Sequence, residues 1–165
     1  MPFTPFHLGP GLLFGLLFFS CVDLPTFLVA SVVIDIEPLL VLYLNLDYPA
    51  HGYLHTFLGG TIVAFLLALA MSRMRGPLSP LMSFLKLEQK TSFRSILLAS
   101  IFGIYLHILL DSPLYSDIRP FYPIEANPLL GHGMFVGFEI YTFCVLSLLG
   151  GAIVYAARLA FAGRT

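Results

Sequence analysis

The sequence is poor in charge. Only 10% of its 165 residues are Asp, Glu, Lys or Arg, against about 25% in a soluble domain. Eight Lys/Arg and nine Asp/Glu leave a formal net charge of -1, so there is no basic face to hold nucleic acid. Two cysteines are too few for a disulfide scaffold. Both Cys21 and Cys144 fall in or at the ends of apolar runs, where free thiols behave as small apolar groups. The first apolar run is preceded by no Lys or Arg and followed by no small-x-small cleavage site, so it reads as a retained helix rather than a signal peptide. Internal repeats and low-complexity tracts are absent too. What remains in excess is apolar side chain. The chain is 58% hydrophobic with a mean hydropathy of +0.92, which excludes disorder and exceeds what a globule of this size can hide. It reads as an all-α integral membrane protein, one transmembrane helical domain over residues 1–165.

Apolar runs of about 17–25 residues mark spanning helices. Five are expected, over residues 8–22, 24–46, 53–72, 95–110 and 133–159. Arg73, Arg75, Lys86, Lys90 and Arg94 fall in one connection, opposed only by Glu88. That asymmetry puts the 73–94 connection, and Arg158 and Arg164 after the last span, in the cytoplasm. The expected topology is a multi-pass cell-membrane protein with the N-terminus out and the C-terminus in. Within the 73–94 connection, Gly76-Pro77 and Ser79-Pro80 read as loop, and residues 83–87 as a short interfacial stretch. Pro113, Pro120, Pro123 and Pro128 preclude a helix in the 113–132 connection, whose Tyr115, Phe121 and Tyr122 suit an ordered cap at the outer interface.

Ionisable residues inside spans cost about 2.5–3.5 kcal/mol each on insertion scales and are functional candidates by default. Here they are His7, Asp35, Glu37, His51, His55, His107 and Asp111. On the topology above, all but the Asp35/Glu37 pair sit at the outer ends of their helices. Pro38 disfavours helical geometry at Glu37, so the second span is expected to break there and turn that pair toward a shared cavity. His51-x-x-x-His55 and His107-x-x-x-Asp111 have the i, i+4 spacing by which one helix face offers two ligands. Imidazoles mixed with carboxylates suit Zn²⁺, or Mn²⁺ or Fe²⁺, rather than Ca²⁺ or Mg²⁺. Seven candidates exceed the three or four that one zinc takes from protein. Either two ions bind, or some of the seven orient ligands and serve as general base. His132, between two glycines, reads as a turn residue, and Glu139 as a structural residue of the last span.

These residues, in this order, resemble the membrane-bound metal-dependent hydrolase family that includes the YdjM- and YbcI-like proteins. The resemblance rests on His7, Asp35-Ile36-Glu37, His51-Gly52-Tyr53-Leu54-His55-Thr56 and His107-Ile108-Leu109-Leu110-Asp111, spanning Phe6 to Ser112. Ile34 stands where that family commonly has Pro, Glu37 where it has Asp, and Gly52 and Tyr53 fill a slot where an Arg often follows the first His. The resemblance implies a divalent metal and hydrolysis. On this reading His7, Asp35, His55, His107 and Asp111 are ligands. Glu37 is a ligand or the general base, and His51 is a ligand or a residue holding the site's geometry. The location suggests a lipid or phosphoester substrate, with only Arg119 nearby to hold phosphate. The rival reading is a non-enzymatic membrane protein that binds or conducts metal ions or protons. It requires polar groups continuing across both halves of the bilayer, and the inner halves of these spans carry no such trail. The sequence does not decide the oligomeric state.

Overall fold

The computed structural model describes residues 4–162 and shows an all-helical bundle. Its elements are α1 (Thr4–Leu17), α2 (Leu24–Ala30), α3 (Ile36–Leu44), α4 (Phe57–Phe84), α5 (Phe93–Asp111) and α6 (Val136–Ala162), with 3-10 turns at Val33–Asp35 and Tyr53–His55. Four segments are long and apolar enough to cross a membrane: Leu24–Leu44, Phe57–Phe84, Phe93–Asp111 and Val136–Phe161. The expected first span is a shorter apolar helix. Its 14 residues rise about 21 Å at ~1.5 Å each, short of the ~30 Å hydrocarbon core, and it packs along α6.

The helix of the 53–72 span extends well past residue 72. α4 runs on through Gly76-Pro77 and Ser79-Pro80 to Phe84, with both prolines inside the helix. About 20 residues cross the hydrocarbon, so a span starting at Phe57 leaves it near residue 76. At that margin the carbonyls of Arg73 and Gly76, which Pro77 and Pro80 cannot serve, belong to exposed residues and can be met by water. Arg73 and Arg75 therefore stand on a helix rather than in a loop. Arg75 is turned inward, with Nε 3.1 Å from Oδ1 of the buried Asp23. Asp23 also caps α2 by accepting from the Thr26 N–H at 3.2 Å. Gln89 closes the same end: its amide donates to the Phe19 and Val22 carbonyls at 2.6 and 2.8 Å, while its Oε1 accepts from Leu24 N–H at 2.9 Å. Arg158 lies over the Phe19 ring, 3.7 Å from its centroid, and Arg164 falls outside the described residues. One end of the bundle is thus basic and tied together.

The second span breaks, but earlier than Pro38 suggests. α2 stops at Ala30, and Pro38 sits in the first turn of α3, where a missing N–H is harmless. The break covers Ser31 to Asp35. Ser31 bonds its hydroxyl to the Leu28 carbonyl at 2.8 Å, and the run Val32, Val33, Ile34 is β-branched and stiff against helical packing. Asp35 N–H then bonds the Val32 carbonyl at 3.2 Å, one residue short of the α-helical partner. The Ser31 carbonyl is thereby released from the helix ladder. Helix α5 approaches closely here: a Cβ on Gly103 would fall 2.5 Å from the Ala30 Cβ and 2.9 Å from the Phe27 carbonyl. Only glycine lets the two backbones meet, and one turn further along α5 His107 arrives opposite the released carbonyl.

The 113–132 connection is free of helix, as its prolines require, and is docked. The Pro120 carbonyl accepts from Phe57 N–H at 2.8 Å, and Asn127 donates to the Ser112 carbonyl at 2.8 Å. It caps the end of the bundle where α1 and α4 begin and α5 ends.

Candidate metal centre

At this capped end four side chains converge. Asp35, His55, His107 and Asp111 are all buried, and each offers one ligand atom within 4.8 Å of the others. They come from the break, the 3-10 turn before α4, and the last turn of α5. A shared ion with bonds of ~2.0–2.2 Å needs donors at most ~4.4 Å apart, so movement of a few tenths of an ångström closes the set.

The imidazoles are poised by what lies behind them. His107 Nδ1 is 2.8 Å from the Ser31 carbonyl, which can only accept, so Nδ1 carries a proton and Nε2 is the ring atom turned toward the carboxylates. That Nε2 lies 3.4 Å from Asp35 Oδ1 and 3.3 Å from Asp111 Oδ2. His55 Nδ1 is 2.8 Å from Glu37 Oε2, which engages the same ring atom, and its Nε2 is buried with no hydrogen-bond partner. Metal-binding histidines characteristically engage their second nitrogen with a carboxylate or carbonyl in this way.

The remaining sequence candidates surround the four. Glu37 is not among them: it accepts from His55, from Leu54 N–H at 3.2 Å and from the Tyr48 hydroxyl at 3.4 Å. Burial pushes the Tyr48 phenol above its ordinary value, its bond from the Tyr53 N–H pulls the other way, and the Glu37 charge raises it further, so Tyr48 keeps its proton and donates. His7, in the first turn of α1, sets Nε2 3.0 Å from the second Asp111 oxygen and stacks on His107 with ring centroids 4.0 Å apart. His51 holds Nδ1 3.1 Å from both oxygens of Asp117, with its backbone N–H on the same carboxylate at 3.0 Å. Its Nε2 too is buried without a hydrogen-bond partner, and its ring centroid lies 4.8 Å from that of His55. Tyr115 stacks on its face at 4.3 Å.

His107 and Asp111 do share a face of α5. His51 and His55 do not share a helix, because residues 51–56 form a turn and a 3-10 element and Thr56 caps α4 only afterwards, accepting from Gly59 N–H at 2.8 Å. The two rings meet through the turn. Asp111 joins the cluster through both carboxylate oxygens, one toward His107 and the other toward His7. His132 is exposed in the cap and Glu139 exposed on α6. The sequence reading missed Ser31 and Asp117. Asp117 is an acid in a Pro-rich connection 66 residues from His51, with no spacing to reveal it.

Fold and site together define a multi-pass membrane-helix bundle with a buried two-histidine, two-aspartate cluster able to chelate a divalent metal. No protein-family model, no curated protein and no solved structure matches this chain.

Proposed function

We propose that the protein is a membrane-embedded metal-dependent hydrolase acting on a lipid or phosphoester substrate, the activity that the motif resemblance implies. The observation that carries this reading is the orientation of the two imidazoles. The Ser31 carbonyl and Glu37 each engage Nδ1 of a histidine, so both Nε2 atoms face the point where Asp35 and Asp111 also present oxygens. The donor set fits a divalent transition ion. Two buried carboxylates put negative charge in an apolar surround, which is costly unless a cation offsets it. Mixed nitrogen and oxygen donors suit Zn²⁺, with Mn²⁺ and Fe²⁺ next. The four donors would hold one ion.

When bound, such an ion supplies an acidified water and a polarised scissile bond. The chain's own residues divide the rest of the work. Glu37 and Ser31 orient the ligand imidazoles, and His7 holds Asp111 through its second oxygen. His51, fixed on Asp117 by Nδ1, is the proton acceptor: its Nε2 lone pair is free of any hydrogen bond and borders the His55 ring. Glu37 has its oxygens engaged with His55, Leu54 and Tyr48 and acts in positioning rather than as the base.

Ion or proton conduction is disfavoured by what lies beneath the cluster. Ala30, Ile34, Ala64, Ile104 and Ile108 are fully buried there and form an apolar plug. The Asp23–Arg75 pair is far off at the basic end and already bonded. Elemental analysis of detergent-purified protein should find about one Zn, Mn or Fe per chain. Chelation should abolish hydrolysis of a chromogenic phosphodiester, and the same metal should restore it. Protein without metal, or hydrolysis that survives chelation, overturns the reading.

The basic end carries the exposed Arg73, Lys86, Lys90 and Arg94 and faces the cytoplasm by the positive-inside rule, which puts the centre at the outer side. An engineered Cys at position 50 or 126 should therefore react with a membrane-impermeant maleimide on intact cells, and one at position 83 should not. The reverse pattern would move the centre to the cytoplasmic side.

A further inference from the structure

Outside His51 the bundle end opens into a cleft of about 160 Å³, lined among others by Tyr48, Gly52, Tyr53, Arg119, Tyr122 and Asp117, whose carboxylate is engaged by His51. We propose that this cleft is the site for the phosphate group of an amphiphilic ester, held by Arg119 at the rim and delivered past His51 to the metal centre. The proposal rests on the hydrolase reading and names the substrate class it takes.

Position comes first. His51 is buried and closes the inner end of the cleft, with a buried Nε2 that has no hydrogen-bond partner. A group in the cleft is therefore separated from His55 by one imidazole. Charge comes next. Arg119 is the sole Lys or Arg in the connections 45–56 and 112–135. Its guanidinium pairs with Glu125, at 3.3 Å, and the two side chains are 49% and 77% exposed. Such surface pairs contribute little, so a phosphate can take the guanidinium from Glu125, and its planar fork matches phosphate oxygens in pairs.

Size then separates head group from tail. At about 160 Å³ the cleft is smaller than the ~300–1,000 Å³ sites that enclose a drug-sized ligand, so it suits a phosphate with a few attached atoms rather than a whole amphiphile. The wall formed by Tyr48 leads to a place for the chain. Tyr48 ties that wall to the first turn of α3 through Glu37, and α3 leaves Leu39, Leu40, Tyr43 and Leu44 exposed. An ester whose phosphate sits in the cleft can lay its chains along this face.

The cleft is also built. Tyr53 and Tyr122 meet edge to face with centroids 5.2 Å apart, and the Tyr48 hydroxyl accepts from Tyr53 N–H at 2.9 Å. Gly52 lies flat against Tyr48: any Cβ there would collide with the Tyr48 hydroxyl and ring. The missing side chain keeps Tyr48 on Glu37 and out of the cleft.

The test uses the full chain in phosphatidylcholine nanodiscs and two probes, dihexanoyl phosphatidate and inorganic phosphate, with binding read by calorimetry and metal per chain by elemental analysis. The wild type should bind the short-chain phosphatidate more tightly than inorganic phosphate. Arg119→Gln should weaken the phosphatidate by about tenfold or more, the loss of a charge-assisted bond pair. Gly52→Val should weaken it as well, and both variants should keep their metal. Unchanged affinity in Arg119→Gln overturns the site. Equal affinity for the two probes overturns the amphiphile in favour of free phosphate. A wild type that holds metal and binds neither probe overturns the cleft and leaves the centre standing. Arg119-dependent binding in a protein without metal upholds the cleft and removes the hydrolase.

Discussion

Replacing His107 with alanine is expected to strip the protein of metal while leaving its helices in place. The substitution removes one of four donors and also orphans the Ser31 carbonyl, whose partner is the His107 Nδ1–H. Removing a group that merely orients a ligand weakens metal binding by about 10–100-fold, and loss of a ligand exceeds that. Spanning helices satisfy their backbone within themselves, so helical content by circular dichroism should stay near the wild-type value. His55→Ala should behave alike, and the double variant should bind little more weakly than the worse single one, because contacting residues are non-additive. The measurement is metal affinity by chelator competition in detergent. Independent, additive losses would mean that His55 and His107 serve separate sites, although their rings lie 5.5 Å apart.

Why these two histidines meet was partly legible in the chain. Antiparallel spans joined by a basic connection bring residue 55 and residue 107 to one level, and the bundle does so. Four of the seven candidates converge as donors, and the other three stand directly behind or beside them. What could not be read is how the imidazoles are oriented. Ser31 contributes a backbone carbonyl, which has no residue signature. It is free only because the helix breaks over Ser31–Asp35, and Pro38 pointed to a break several residues later. The His51–Asp117 pair forms through a Pro-rich connection whose path is set by docking contacts such as Phe57 N–H to the Pro120 carbonyl, not by any periodicity. The overrun of α4 has a plainer cause. Gly-Pro and Ser-Pro read as loop when the helix is assumed to end with the hydrocarbon, yet in the aqueous margin water replaces the lost bonds.

Glu37 is where the sequence left two roles open, and its variants separate them. As a residue that orients His55, Glu37 acts through an acceptor oxygen 2.8 Å from Nδ1. Glu37→Ala removes that acceptor, leaves the Leu54 N–H and the Tyr48 hydroxyl without it, and should lower metal affinity by about 10–100-fold. Glu37→Gln keeps a carbonyl oxygen in the same place and should recover most of that affinity. A general base behaves otherwise. Its removal lowers turnover by about 10²–10⁴-fold, the amide fails as badly as alanine, and the metal stays bound. Chelator-competition affinity and turnover at saturating metal, measured on both variants, therefore distinguish the two roles. Rescue of affinity by Gln, with turnover following metal occupancy, is the expected result. Metal affinity at the wild-type level in both variants, with turnover lost in both, would make Glu37 the base and return His51 to a positioning role. The geometry favours the first outcome because the Glu37 oxygens are engaged with three donors on the 48–55 segment and Glu37 is not among the four residues that converge.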